Sequence, residues 1–322
     1  MRAIALLLCT AATSPPASYG FTPSLLGGFV GSSYRSPSIT AAAAAASTEA
    51  EATPAADSST DCASDKPQLY DLPVSNNGAR VRMCIYYKEL EEDVDIVSPM
   101  DLGGLQSPEY KAVNPQGKMP AMAVGDLNFG ESDTIVRYLL DRFVDKGPSL
   151  LGASLEERLL ANAVARHHDM YIGPIQGCMY KAFPPFGVFG GRREALNELL
   201  KQLQVLEDMV APKATDTGPF LAGGTEPTLA DCTVFPTALF IEYMLPKFGF
   251  SADEFFGPTV GAWFYGAMGE GNPVAQRVRG EIVGALEKWD ARGRWDTIAG
   301  AGKRDTVGGS VGGWVGGWVD LW

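Results

Sequence analysis

Past position 67 the apolar residues fall into two successive rhythms. Leu69-Tyr70-Asp71-Leu72 reads as a short strand, and a turn over 73–78 leads into a helical stretch whose apolar face runs through Met83, Tyr86 and Leu90. Val94-Asp95-Ile96-Val97 supplies a second strand, and such a strand-helix-strand unit pairs in parallel through a right-handed crossover. Ser107-Pro108-Glu109-Tyr110 opens a short helix. Residues 121–124 and 127–129 flank Gly125-Asp126, a hairpin signal, and Ser132 begins a helix with Ile135, Tyr138 and Leu139 on one face. The order β-α-β-α-β-β-α predicts a small α/β sandwich over residues 67–146. Beyond Gly147-Pro148 the period is helical, over 155–171, 192–210, 229–244 and 273–291, so residues 153–296 are expected to form an all-helical region. Thr228-Leu229-Ala230-Asp231 predicts a capping box: the Thr228 hydroxyl meets a first-turn amide while Asp231 reaches back to the N-cap amide.

The two ends follow neither rhythm. Arg2 precedes a short apolar run and small residues follow to Gly20, the layout of a signal peptide over 1–20. No acid occurs before Glu49. Residues 21–66 are rich in Ser, Ala and Gly and poor in large apolar side chains, and read as a transit peptide with a disordered linker. Together these segments resemble the bipartite leader of algae with secondary plastids, with Phe21 first after cleavage, which implies a plastid; simple secretion is the alternative. At the other end, residues 297–322 repeat Gly-Gly with Trp or Ser, as in Gly312-Gly313-Trp314, and cannot build a core alone.

Charge and rare residues narrow the function. With 38 acidic against 26 basic residues, the net charge of -12 repels a phosphate backbone and excludes generic nucleic-acid binding. The longest apolar run, residues 4–12, is far short of the ~18 to 20 needed to span a bilayer. Cys9, Cys62, Cys84, Cys178 and Cys232 show no CxxC spacing, and His167 and His168 are the only histidines, so neither a disulfide scaffold nor a metal site is expected.

Three loops carry candidate chemistry. Ser75 stands just before a helix, where a hydroxyl and free amides can hold a thiolate or simply cap the helix. In Lys118-Met119-Pro120, Lys118 can meet a carboxylate, and a cis bond before Pro120 would turn the Met119 main chain toward a ligand; alone, the tripeptide also reads as a turn with a solvated lysine. In Glu131-Ser132, Ser132 and first-turn amides suit an anion and Glu131 an ammonium, the two ends of an amino-acid head group, although capping also explains Ser132.

In this order and spacing the loops resemble the glutathione transferase family. Residues 69–143 look like its thioredoxin-like N-terminal domain, and residues 154–295 like its all-helical C-terminal domain. Residues 114–122 are similar to the proline loop of the plant phi and zeta classes, Glu131-Ser132 to the γ-glutamyl site, and residues 224–231 to the capping segment. Aligning Arg80-Val81-Arg82 with the family's arginine pair puts Ser75 at the catalytic position. The run Ser75-Asn76-Asn77-Gly78 departs from the zeta Ser-Ser-Cys-Ser run, which tells against maleylacetoacetate isomerase activity. A serine in place of cysteine argues against thiol-disulfide chemistry, and Cys84 reads as a buried small apolar residue.

The resemblance implies reduced glutathione as co-substrate, no metal, and conjugation to a hydrophobic electrophile in a homodimer. Ser75 would stabilise the thiolate with Asn76 as a second donor, the Met119 main chain beside Pro120 would align the cysteinyl unit, Lys118 would hold the glycyl carboxylate, and Glu131 with Ser132 the γ-glutamyl end. The electrophile would lie on helix faces around His168, Tyr171 and Met179. A non-catalytic carrier or scaffold, and a glutathione-dependent peroxidase or dehalogenase, are the alternatives.

Overall fold

The structure, a computed structural model, describes residues 65–212 and 218–299. The leader expected over 1–20 and nearly all of 21–66, and the tail from residue 300 on, lie outside them. Four short strands form a mixed sheet: β1 Gln68–Tyr70, β2 Asp95–Val97, β3 Ala121–Val124 and β4 Leu127–Gly130. Their spatial order is β2-β1-β3-β4, with β2 parallel to β1 and both other pairings antiparallel. In this register Leu69 of β1 sits opposite Met122 of β3, and both are fully buried. Three helices accompany the sheet: α1 Asn76–Tyr87, α2 Pro108–Val113 and α3 Ser132–Arg142. This is a thioredoxin-like arrangement.

The rest is helical: α4 Leu155–His167, α5 Arg192–Val210, α6 Leu229–Met244, α7 Ala252–Phe255, α8 Pro258–Ala262, α9 Pro273–Asp290 and α10 Asp296–Ala299. The helix expected over 155–171 keeps its length but changes its winding near the end. At His168 the α-helix gives way to one wide turn, His168–Ile172, closed by the Gly173 amide donating to the His168 carbonyl at 2.7 Å. Such widened turns recur at functional sites, and this one lets two consecutive polar residues, His168 and Asp169, reach into the interior.

Helix α1 joins the two regions. Ten of its twelve residues are buried, because it packs against α3 on the sheet side and against α6 and α9 on the other. It therefore has no polar face to give to water, and its arginines Arg80 and Arg82 are carried inside. One apolar cluster runs from Leu69 to Ile298 through both regions. No helix among the described residues is long and apolar enough to cross a membrane.

Candidate functional site

A groove of about 810 Å³ runs between the sheet region and the α4 end, within the size range of small-molecule sites. Lys118, Met119 and Pro120 line it, with Glu131 and Ser132; Asn77 closes one side, and His168 and Asp169 face them from the helical region.

The loop bearing Lys118 is fixed from behind. The Tyr110 hydroxyl and the Asn114 amide both donate to the Lys118 carbonyl, at 2.8 and 2.6 Å, and Asn114 Oδ1 accepts from the Gln116 amide at 3.1 Å. Gly117 has φ +58°, and a Cβ there would lie 2.7 Å from the Leu105 carbonyl oxygen, so no larger residue fits. The Met119–Pro120 bond is cis. Among the described residues neither the Met119 main chain nor the Lys118 ammonium has a hydrogen-bond partner. An unpaired main-chain amide and carbonyl at a groove wall are groups a peptide-like ligand can pair with.

Glu131 precedes α3 with φ 63° and ψ 111°, a conformation that costs a non-glycine residue about 1–3 kcal/mol. Arg80 anchors the turn that follows. Its buried guanidinium donates to Asp133 at 2.7 Å, to both Asp169 oxygens at 2.9 and 3.0 Å, and to the Ser132 hydroxyl at 3.4 Å. One side chain thus ties the α3 N-terminus to the turn after α4. Sequence reasoning used Arg80 only to set the alignment; the signal for its structural role was a pair of charges, Arg80 and Arg82, in the middle of a helix whose later residues are apolar.

At the start of α1 the structure separates three neighbours. Ser75 is the N-cap, its hydroxyl accepting the Gly78 amide at 3.0 Å, and it is almost buried. Asn76, expected as a second donor near a sulfur, is turned away: its amide donates to Gln176 at 2.5 Å and Thr237 at 2.9 Å across to the helical region. Asn77, one helical step further on, is the member of this turn that lines the groove. Behind them the Asp71 carboxyl lies beside Ser75 and is ion-paired with Arg82. It occupies the space that a Cβ on Gly78 would fill, 1.8 Å from Asp71 Oδ1. Burial pushes this carboxyl up to about 6, against the pull of Arg82.

Of the three residues expected to hold an electrophile, only His168 reaches the groove. Its ring contacts Asp169 at Nδ1 (3.0 Å) and Thr237 at Nε2 (2.8 Å). Burial lowers its pKa, against the raising effect of the hydrogen bond it donates to Asp169, and so favours the neutral ring. Donation from Nδ1 and acceptance at Nε2 then satisfy the whole chain Asn76–Thr237–His168–Asp169–Arg80. Burial alone would raise the Asp169 carboxyl, but the His168 hydrogen bond and the Arg80 guanidinium hold it below its usual range. Tyr171 is half exposed outside the groove and stacks on His167 at 5.3 Å, and Met179 is fully buried in the core. An aromatic or thioether at helical spacing packs wherever its phase points, and these two point elsewhere.

The described cysteines are no part of the site. Cys84, Cys178 and Cys232 are fully buried; burial pushes the Cys84 and Cys178 thiols up to about 12 and raises that of Cys232 well above the ordinary value.

Comparison with known proteins gives a consistent likeness. Residues 69–147 match the family described as "Glutathione S-transferase, N-terminal domain". The chain is 30% identical over 180 residues to Glutathione S-transferase F11 of Arabidopsis thaliana, covering 54% of this chain and 81% of that relative. To Glutathione S-transferase 3 of Zea mays it is 38% identical over 89 residues, covering 27% of this chain and 39% of that one. In structure it resembles glutathione transferase F7 from Populus trichocarpa, with a TM-score of 0.54 at 23% identity over 67% of this chain and 99% of that one.

Proposed function

Because this chain belongs to the glutathione S-transferase family, we propose that it binds reduced glutathione and transfers its sulfur to electrophilic small molecules. The observation that carries the reading is the meeting in one groove of a free lysine, an unpaired main chain at Met119 and the Glu131-Ser132 helix start. These suit a peptide with a carboxylate at one end and an amino-acid head at the other. In this reading Lys118 holds the glycyl carboxylate, Met119 pairs with the cysteinyl unit beside Pro120, Ser132 with the first-turn amides of α3 holds the γ-glutamyl carboxylate, and Glu131 takes the ammonium.

The sulfur then lies at the start of α1. Ser75 has one lone pair engaged by the Gly78 amide and hydrogen-bonds the Asp71 carboxyl behind it, so in this reading its hydroxyl proton turns from Asp71 to the thiolate, and the N-terminus of α1 adds positive potential. Asn77 replaces Asn76 as the second donor. The sulfur attacks directly and no covalent enzyme intermediate forms. The test is calorimetric glutathione binding together with turnover of a chloro-nitroaromatic acceptor, in wild type and Ser75→Ala. Binding retained with turnover reduced ~10²-fold or more is expected. Full turnover in Ser75→Ala would remove Ser75 from the mechanism. Glutathione binding without turnover across several acceptors would favour a carrier, and absence of binding would overturn the reading.

A further inference from the structure

The wall of the groove opposite the glutathione loops is not the apolar shelf that a hydrophobic acceptor would need. It is built from the last turns of α4 and the wide turn beyond, and presents Asn162, Arg166, Asp169 and Gln176, with Ala165 and Met170 as its apolar side chains. Tyr171 and Met179, which would have made it greasy, face solvent and the core.

Arg166 stands out by charge accounting. Asp169 is taken by Arg80 and His168, and Asp133 by Arg80 and Arg137. Arg137 is itself engaged by Asp133 and Asn162. Arg166 is exposed to the groove and has no hydrogen-bond or ion-pair partner among the described residues. Each charge of glutathione has its match in the proposed binding mode: Lys118 and Ser132 with the two carboxylates, Glu131 with the ammonium. One cation is left over.

We infer that Arg166 receives an anionic group, a carboxylate or similar oxyanion, on the second substrate, so that the acceptors of this protein are acid-bearing electrophiles. The inference rests on the glutathione reading. A guanidinium presents two parallel N–H donors that fit a carboxylate, and its contact adds to binding only when the acceptor carries the charge. With a chloro-nitroaromatic acid as acceptor, the C–S bond forms and the C–Cl bond breaks. Chloride leaves with its electron pair, and the carboxylate stays on the product.

The probes are a carboxylate-bearing chloro-nitroaromatic and its methyl ester, with their finished glutathione conjugates. Calorimetry on the full chain gives Kd for glutathione and for both conjugates in wild type, Arg166→Gln and Arg166→Lys, with KM for both acceptors measured beside it. The acid conjugate is expected to bind wild type about tenfold tighter than the ester conjugate. Arg166→Gln should abolish that difference, and Arg166→Lys should restore part of it. The preference should shrink as salt rises. Equal affinity for the two conjugates in wild type, or a loss in Arg166→Gln shared by both conjugates and by glutathione itself, would overturn the assignment while leaving the glutathione reading intact. Failure of wild type to bind glutathione would instead strike that reading, and this inference with it.

Discussion

Asp71 is a carboxyl sealed beside Arg82, with desolvation outweighing its partner and carrying it up to about 6. A carboxyl raised in the folded state keeps a proton that the unfolded chain releases near pH 4. Its contribution to stability is therefore fully present below about pH 4 and is lost as pH rises through about 6. The expected size is roughly 3 kcal/mol. Urea melts of Asp71→Asn between pH 4 and 7 should show that slope flattened relative to wild type, and parallel profiles would refute the assignment. Residue-scale geometry was the hardest to read from sequence. Asn76 and Asn77 are the same residue type in adjacent positions, and near a helix start a one-residue step turns a side chain by about 100°. Which of them meets the groove depends on Ser75 being the N-cap, a detail of chain path that composition does not encode. The partners of Arg80 come from segments 52 to 89 positions away, beyond the reach of any local pattern.

Helix α6 shows the opposite case. Its bounds and its capping box agree with the sequence pattern because Thr228 and Asp231 act within one turn. The hairpin of β3 and β4 and the span of α5 were legible for the same reason. The short pieces between α6 and α9 were not, since helices of four or five residues carry too few periods to register. Yet the cap does more than local sequence indicates. Asp231, fully buried, also accepts the Leu221 amide at 3.0 Å and the Trp263 indole N–H at 2.8 Å, besides the Thr228 amide at 2.7 Å. The Thr228 hydroxyl donates to it as well, at 3.0 Å, so Asp231→Ala would strand four buried donors at once. A loss of about 3–5 kcal/mol is expected in chemical denaturation, with Asp231→Asn milder. A loss under ~1 kcal/mol, the usual worth of a cap alone, would show that the extra contacts contribute little.

For the whole molecule, the sheet and helical regions are joined by charge as well as by apolar packing. From Asp71 the chain of contacts runs through Arg82 to Glu281 at 2.9 Å, and Glu281 accepts the Tyr86 hydroxyl at 2.8 Å. Arg277 lies 3.5 Å over the Tyr86 ring and bonds Glu91 at 2.7 Å. With α1 shared between the regions and one core through both, neither should melt first. Far-ultraviolet dichroism and indole fluorescence are expected to trace one coincident unfolding transition, and two resolved transitions would contradict this coupling. The burial of Cys84, Cys178 and Cys232 acts at the same scale. A protein that gathers reactive electrophiles is exposed to self-poisoning through its own thiols. Here the described thiols are closed off from solvent and held protonated at neutral pH, so that in the proposed reaction the reacting sulfur is one brought in and carried away with each turnover, and these three are spared.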